Sequence, residues 1–343
     1  MDNRSRERRD RRGRRLAASA LGVALLALLV ACGSDSPSST RSPVAAGSNA
    51  VPSLDMATGR IAFAGSEGMP GPISVMAPNG DRKARSVHPS SRVIFSLDWS
   101  PDASRIAYLV ANSTLRSAIE TVSIGSGRTR VVRRTAAPRE LLVEAFYDLA
   151  WRPGSELIAV VRGQHGESYA PAEIVLVDSR TGRVEGRPIA TDANRVSRLA
   201  WSPDGRRLVY RIARRARWAR VGPLALLDVQ TGVAHRLSPG LRGTDPAWSP
   251  DGRRIAVTTV EGIAVVGSKG GPPRLLTRGR LRDRWPTWSP DGTLIAYSHR
   301  SGECGRPNGN CRLDLYVVSS DGSAPLRLTR TPDDETHLVW SPR

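Results

Sequence analysis

Arginine beside tryptophan is the chemistry that this chain concentrates. Arg211, Arg214, Arg215, Arg217 and Arg220 surround Trp218, and Arg278, Arg280, Arg282 and Arg284 run up to Trp285. A guanidinium fork pairs carboxylate or phosphate groups, and an indole adds stacking area beside it. The two groups together read as a binding face for an anionic partner. Solvated charge is the plain alternative, because 49 Arg stand against only 2 Lys throughout the chain. Of the five histidines, His235 reads as a surface residue. His88, His165, His299 and His337 fall between predicted strands and read as scattered polar loop residues, although an axis could in principle gather them. The one compact acidic cluster, Asp333 to Thr336 beside His337, reads as a solvated turn. No metal or other cofactor is expected. Neither a Gly-x-Ser-x-Gly nucleophile turn nor a phosphate-binding loop stands in the sequence, and Lys269 in "GSKGG" is wrongly placed for the latter.

The elements that carry these residues come from a repeat. "PAWSPDGRRIAVT" from Pro246 has close variants from Leu199 and Pro286, looser ones from Leu97 and Leu149, and a truncated copy, "LVWSPR", at the end. The phrase tryptophans are Trp99, Trp151, Trp201, Trp248, Trp288 and Trp340, spaced by 52, 50, 47, 40 and 52 residues. Such a period suits a four-stranded blade of a propeller. Each unit holds four short apolar segments separated by turn residues, as in "DPAWS", "RRIAVT", "GIAVVG" and "PRLLT". In Ser-Pro-Asp-Gly, Pro presets the first central position of a type I turn and Gly takes the left-handed position after it. Ala103 replaces that Gly in one copy, and Arg152-Pro153-Gly154 departs in another, so these two turns are expected to be looser. The tryptophan before each turn is expected to seal a seam between blades.

The ends of the repeat fix the architecture. The first unit opens on "GRIAFAG" from Gly59 with no tryptophan strand before it, and Trp340 has no second strand after it. Joined, they complete one blade. The expected fold is all-β, a six-bladed β-propeller of four-stranded antiparallel blades, closed by the C-terminal strand completing the N-terminal blade. The phrase turns then share one face with the short third-to-fourth turns. The irregular second-to-third loops and inter-blade links share the other, and that irregular face, with its arginines, is the expected binding face.

The N-terminus adds an address. A basic stretch to Arg15, an apolar run from Leu16 to Ala31 and a polar continuation describe an export signal over residues 1–31, since about 20 apolar residues are needed to span a membrane. "LVAC", Leu29 to Cys32, resembles the lipobox of bacterial lipoproteins, which implies acylation of Cys32. Residues 32–55 are rich in Ser, Gly, Pro and Ala and read as a flexible tether, leaving 56–343 for the propeller. Outside the cytoplasm Cys304 and Cys311, six residues of turn-forming sequence apart, read as a disulfide. The net charge of +19 suits nucleic acid, but export removes that partner.

The phrase W-S-P-D-G-x-x-[IL]-[AV]-[YV] resembles the repeat of TolB-like β-propellers, over nearly all of Gly59 to Arg343. The α/β domain that precedes the propeller in TolB is not expected here. The resemblance implies an envelope propeller that binds other macromolecules. Taken with the lipobox and the missing catalytic motifs, the expected protein is an extracytoplasmic, lipid-anchored, monomeric module that binds an envelope protein or an anionic polymer and is not an enzyme. A rival reading, a lyase or hydrolase acting on polysaccharide, follows from a similarity to the oligogalacturonate lyases. It requires histidines and acids to converge on the axis.

Overall fold

The computed structural model describes residue 54 and residues 58–65, 68–78, 84–111, 117–135, 143–165, 172–189, 195–213, 221–302, 312–331 and 334–342. Cys32, Cys304, Cys311, Arg214, Arg215, Arg217, Trp218 and Arg220 lie outside them. Among the described residues twenty-four strands form. The first blade holds β1 (Ile61–Gly65), β2 (Ile73–Met76) and β3 (Arg85–His88), completed by the last strand of the chain. The second holds β4 (Val93–Trp99), β5 (Arg105–Ala111), β6 (Ser117–Ser123) and β7 (Thr129–Arg134), and the third β8 (Val143–Trp151), β9 (Leu157–His165), β10 (Glu173–Asp178) and β11 (Val184–Ile189). The fourth holds β12 (Arg195–Trp201), β13 (Arg207–Ala213), β14 (Gly222–Asp228) and β15 (Ala234–Arg236), and the fifth β16 (Arg242–Trp248), β17 (Arg254–Thr258), β18 (Ile263–Gly267) and β19 (Gly270–Leu275). The sixth holds β20 (Asp283–Trp288), β21 (Leu294–Ser301), β22 (Arg312–Ser319) and β23 (Leu326–Arg327), and the closing strand is β24 (Glu335–Trp340). All pairings between these strands are antiparallel. Blades four and five share one sheet through a short contact in which Gly222 faces Gly243 and Pro223 faces Arg242.

Each blade repeats one division of labour. Its second strand, such as β1 or β5, is buried nearly throughout, because it lies between two neighbouring blades. That explains the unbroken apolar runs "IAFAG" and "RIAYLVA", where a half-exposed strand would alternate. The fourth strands, such as β11, β15 and β19, are mostly exposed. The core is accordingly six seams. Each of the six apolar clusters joins two adjacent blades and contains the phrase tryptophan of one of them. Arginines cover five of these indoles from the neighbouring blade, Arg60 over Trp99, Arg105 over Trp151, Arg152 over Trp201, Arg207 over Trp248 and Arg254 over Trp288, at 4.6–5.8 Å. Arg152 stands where the other phrases have Ser. It supplies the cation that Leu157 cannot, since Leu157 occupies the position of Arg105 and Arg207.

Closure is direct. Trp340 pairs with Ile61 and Val339 with Ala62 across the β24–β1 ladder. Ser341 N–H donates to the Arg60 carbonyl at 2.7 Å, and Arg60 N–H donates to Ser341 Oγ at 2.9 Å. Ser100 makes the same two bonds with Arg105, five residues away. The final phrase thus does between chain ends what the others do within a hairpin. The innermost strands β4, β8, β12, β16, β20 and β24 each pack against the next, and β24 packs against β4, so the ring is complete.

Of the two odd turns, one meets the expectation and one does not. Ala103 takes the left-handed conformation itself (φ 53°) and keeps the 2.9 Å bond to the Ser100 carbonyl, so that turn is no looser. In the other, Gly154 holds φ 66° one position earlier than Gly205 does, and Ser155 N–H reaches the Arg152 carbonyl at 3.3 Å. Pro followed by a left-handed Gly is the pattern of a type II turn. Only this second turn is loosened.

Candidate functional site

An axial cavity of about 450 Å³ opens among the phrase turns, the face opposite to the irregular loops. Its rim is Pro101, Pro153, Pro203, Pro250, Pro290 and Pro342, the proline of each phrase. Leu97, Leu149, Leu199, Pro246, Pro286 and Leu338 wall it, two residues before each tryptophan. The floor is the residue three before each tryptophan: Ser96, Asp148, Arg198, Asp245, Trp285 and His337. No residue earlier in the inner strands reaches the lining. The cavity is therefore an apolar funnel with a polar bottom.

The floor exists because every inner strand breaks register there. The ladder skips a residue just before Ser96 and before Asp148, and it skips around Arg198, Asp245, Trp285 and His337. Bulges of this kind re-aim a side chain. The last four residues all hold left-handed backbone, with φ of 59°, 48°, 52° and 53°. For residues with a Cβ this costs roughly 1–3 kcal/mol each, and such strain clusters where function needs it.

Adjacent blades stitch the floor in three chemically different pairs. Ser96 lies beside Asp148, favours its ionised form, and donates its hydroxyl to the Leu149 carbonyl at 3.3 Å across the blades. Arg198 Nε pairs Asp245 Oδ1 at 3.1 Å. Trp285 stacks on His337 with ring centroids 4.8 Å apart, and the Arg284 guanidinium covers the Trp285 ring at 4.0 Å. Asp148 Oδ2 accepts the Leu199 N–H at 2.6 Å, so it also ties two blades together. Burial pushes its carboxyl above the usual range, against the opposing pull of Arg198. Asp98 in the wall accepts Trp151 N–H at 2.7 Å and Trp99 N–H at 2.8 Å. Desolvation raises its carboxyl to about 7, with the charge of Asp148 adding to the shift. Desolvation and the guanidiniums of Arg198 and Arg284 hold His337 well below the ordinary imidazole value.

The arginine groups anticipated for the irregular face divide. Arg280 and Arg282 are exposed there, in the link before β20, with Arg278 beside them. Trp285 is instead buried, 4% exposed, in the floor, and Arg284 lies against it. Arg211 is half-buried on β13, donates to Ser197 Oγ at 3.0 Å, and feels the charges of Arg198, Asp245, Asp148 and Arg284. Burial holds its guanidinium below the ordinary value. The described histidine side chains, those of His88, His235, His299 and His337, are on strands and do not gather. His88 ends β3 beside Tyr108, and His299 on β21 bonds Asp283 at 2.5 Å; of the described histidine side chains only His337 lines the cavity. The acidic cluster is structural where it is described. Asp334 accepts the Leu313 N–H, and Glu335, 1% exposed, accepts from Leu315 N–H, Thr329 and Thr331.

Six four-stranded blades around a funnel define a β-propeller whose axial pocket opens on the turn face. Its sequence places it further: residues 58–343 match the TolB beta propeller domain family, and the chain belongs to that family. Among solved structures it is similar to TolB from Acinetobacter baumannii, at 22% identity and a TM-score of 0.66, covering 83% of this chain and 67% of that one. It is also similar to a structure assigned as TolB from Agrobacterium tumefaciens, at 18% identity and a TM-score of 0.55, covering 80% and 88%. No curated protein matches the chain.

Proposed function

We propose that this chain is an exported, membrane-anchored binding module without catalytic activity, and that it receives an envelope partner in the axial cavity. The observation that carries this is the funnel itself: apolar walls above a floor built at one position of the repeat, filled by five residue types and strained in four of its six copies. Pockets with apolar walls and a few placed polar groups are where ligands bind. The polar groups of the floor hold backbone or each other, as Asp148 holds Leu199 and Arg198 holds Asp245, and they are not arranged as nucleophile and base. The separation of His88, His299 and His337 supports binding over the polysaccharide lyase or hydrolase reading. In the same proposal, acylated Cys32 and the tether of residues 32–55 hold the propeller at the membrane, and Cys304–Cys311 closes a loop on the irregular face. Arg280 and Arg282, with the arginines around Trp218, offer a second, anionic contact there.

Capture from solubilised envelope with the anchored protein as bait tests both faces. Pro342→Trp places a large side chain at the rim, after the last strand, where no ladder contact is lost. It should abolish capture while the melting temperature holds. Arg280→Ser with Arg282→Ser should weaken capture only modestly and reduce its salt dependence, because exposed charges are screened over about 8–10 Å at physiological salt. Undiminished capture by Pro342→Trp would remove the cavity from the reading.

A further inference from the structure

Two polar atoms at the bottom of the funnel have no hydrogen-bond partner among the described residues, Oδ2 of Asp245 and Nε1 of Trp285. Both side chains are more than nine-tenths buried, and both line the cavity from neighbouring inner strands, β16 and β20. One accepts only and the other donates only. Buried groups of this kind are nearly always partnered, so each unpartnered one calls for a physical reason. Here they occur together, at equivalent positions, each with a left-handed backbone.

We propose that the floor is a recognition subsite for a neutral head that both donates and accepts a hydrogen bond, carried on an apolar body. A hydroxyl on an aromatic ring is the simplest such group. It would donate to Asp245 Oδ2 and accept from Trp285 Nε1, with its ring against Leu97, Leu149, Leu199, Leu338, Pro246 and Pro286. A cation answers Asp245 but leaves the indole N–H unpaired and meets Arg198. An anion answers Trp285 but meets Asp245 and Asp148. A saccharide, with hydroxyls on every side, would strand several of them against leucine and proline. Neither unpartnered atom is open to water in the free chain. The head must therefore part the floor, at the Arg198–Asp245 pair and the Trp285–His337 stack, the two contacts that cover these atoms with left-handed backbone on both sides.

The inference rests on the axial cavity being the binding site, and the test separates the two. Titration calorimetry of the propeller with 4-ethylphenol and with its deoxy analogue ethylbenzene reads the head group alone. The phenol should bind at least about tenfold more tightly, the worth of two modest hydrogen bonds. Trp285→Phe, which deletes the N–H and leaves the bond to Asp245, should cut that preference to about threefold. N-acetyltyrosinamide against N-acetylphenylalaninamide repeats the comparison with the hydroxyl on a peptide-borne ring. A preference confined to the free phenol marks a small-molecule ligand, and one shared by the tyrosyl pair marks a side chain of a partner. Equal binding of phenol and analogue overturns the subsite and leaves the binding cavity standing. Binding of neither pair, together with full capture by Pro342→Trp, overturns both. Should Trp285→Phe fail to fold, the comparison on the wild-type protein decides alone.

Discussion

Glu335 opens the closing strand, and its replacement by Gln should change how stability depends on pH. Burial pushes its carboxyl from 4.5 to about 6, and the bonds from Thr329, Thr331 and Leu315 N–H offset only part of that cost. A carboxyl raised in the fold favours the protonated form. Its contribution is therefore complete below pH 4.5 and is lost as pH rises through 6. The displacement corresponds to about 2 kcal/mol, at 1.36 kcal/mol per unit. Gln keeps a carbonyl for Leu315 N–H and carries no charge, so near pH 4 the variant should match the wild type or fall slightly below it. Between pH 4.5 and 6 the wild type should lose ground to the variant and then run parallel to it. For a domain of this size about 2 kcal/mol is about 3–4 °C in melting temperature. Melts of both proteins in a buffer series provide the assay, and only the difference between them is interpreted. Asp98 and Asp148, also raised, titrate in both and cancel. A difference that stays flat across the series would refute the assignment, and one that falls would reverse its sign.

Two further outcomes follow from the ends of the chain. Deleting residues 337–343 removes Trp340 from the seam between the sixth and first blades and strips β1 of its inner partner. The loss should be at least about 3–5 kcal/mol, the usual cost of truncating one buried tryptophan; a truncated protein melting at the wild-type temperature would contradict closure through β24. Metabolic labelling with a fatty-acid analogue should mark the wild type and not Cys32→Ala, and equal labelling of both would exclude the anchor at that residue.

The sequence by itself determined the ring. Six copies of one phrase placed the turns, because Pro and a left-handed Gly dictate local backbone whatever surrounds them. A first unit without its tryptophan strand, opening on Ile61–Gly65, and a last tryptophan strand without its unit, Glu335–Trp340, required the closure that Ser341 and Arg60 make. Seam tryptophans were legible for the same reason, since a large flat side chain recurring once per blade needs a recurring slot. The floor was not legible. Ser96, Asp148, Arg198, Asp245, Trp285 and His337 share only their distance from a tryptophan, and a search for what repeats passes over positions where nothing does. Trp285 was grouped with its arginine neighbours because they adjoin it in sequence. In a strand, however, adjacent side chains point to opposite faces, and a bulge then turns this one to the axis. The pairs that stitch the floor, Arg198 with Asp245 and Trp285 with His337, join residues about fifty apart that only the closed ring brings within reach. Local backbone preference is written in the chain. Which side chains meet on the axis was decided by register and closure, and these exist only once the blades have packed.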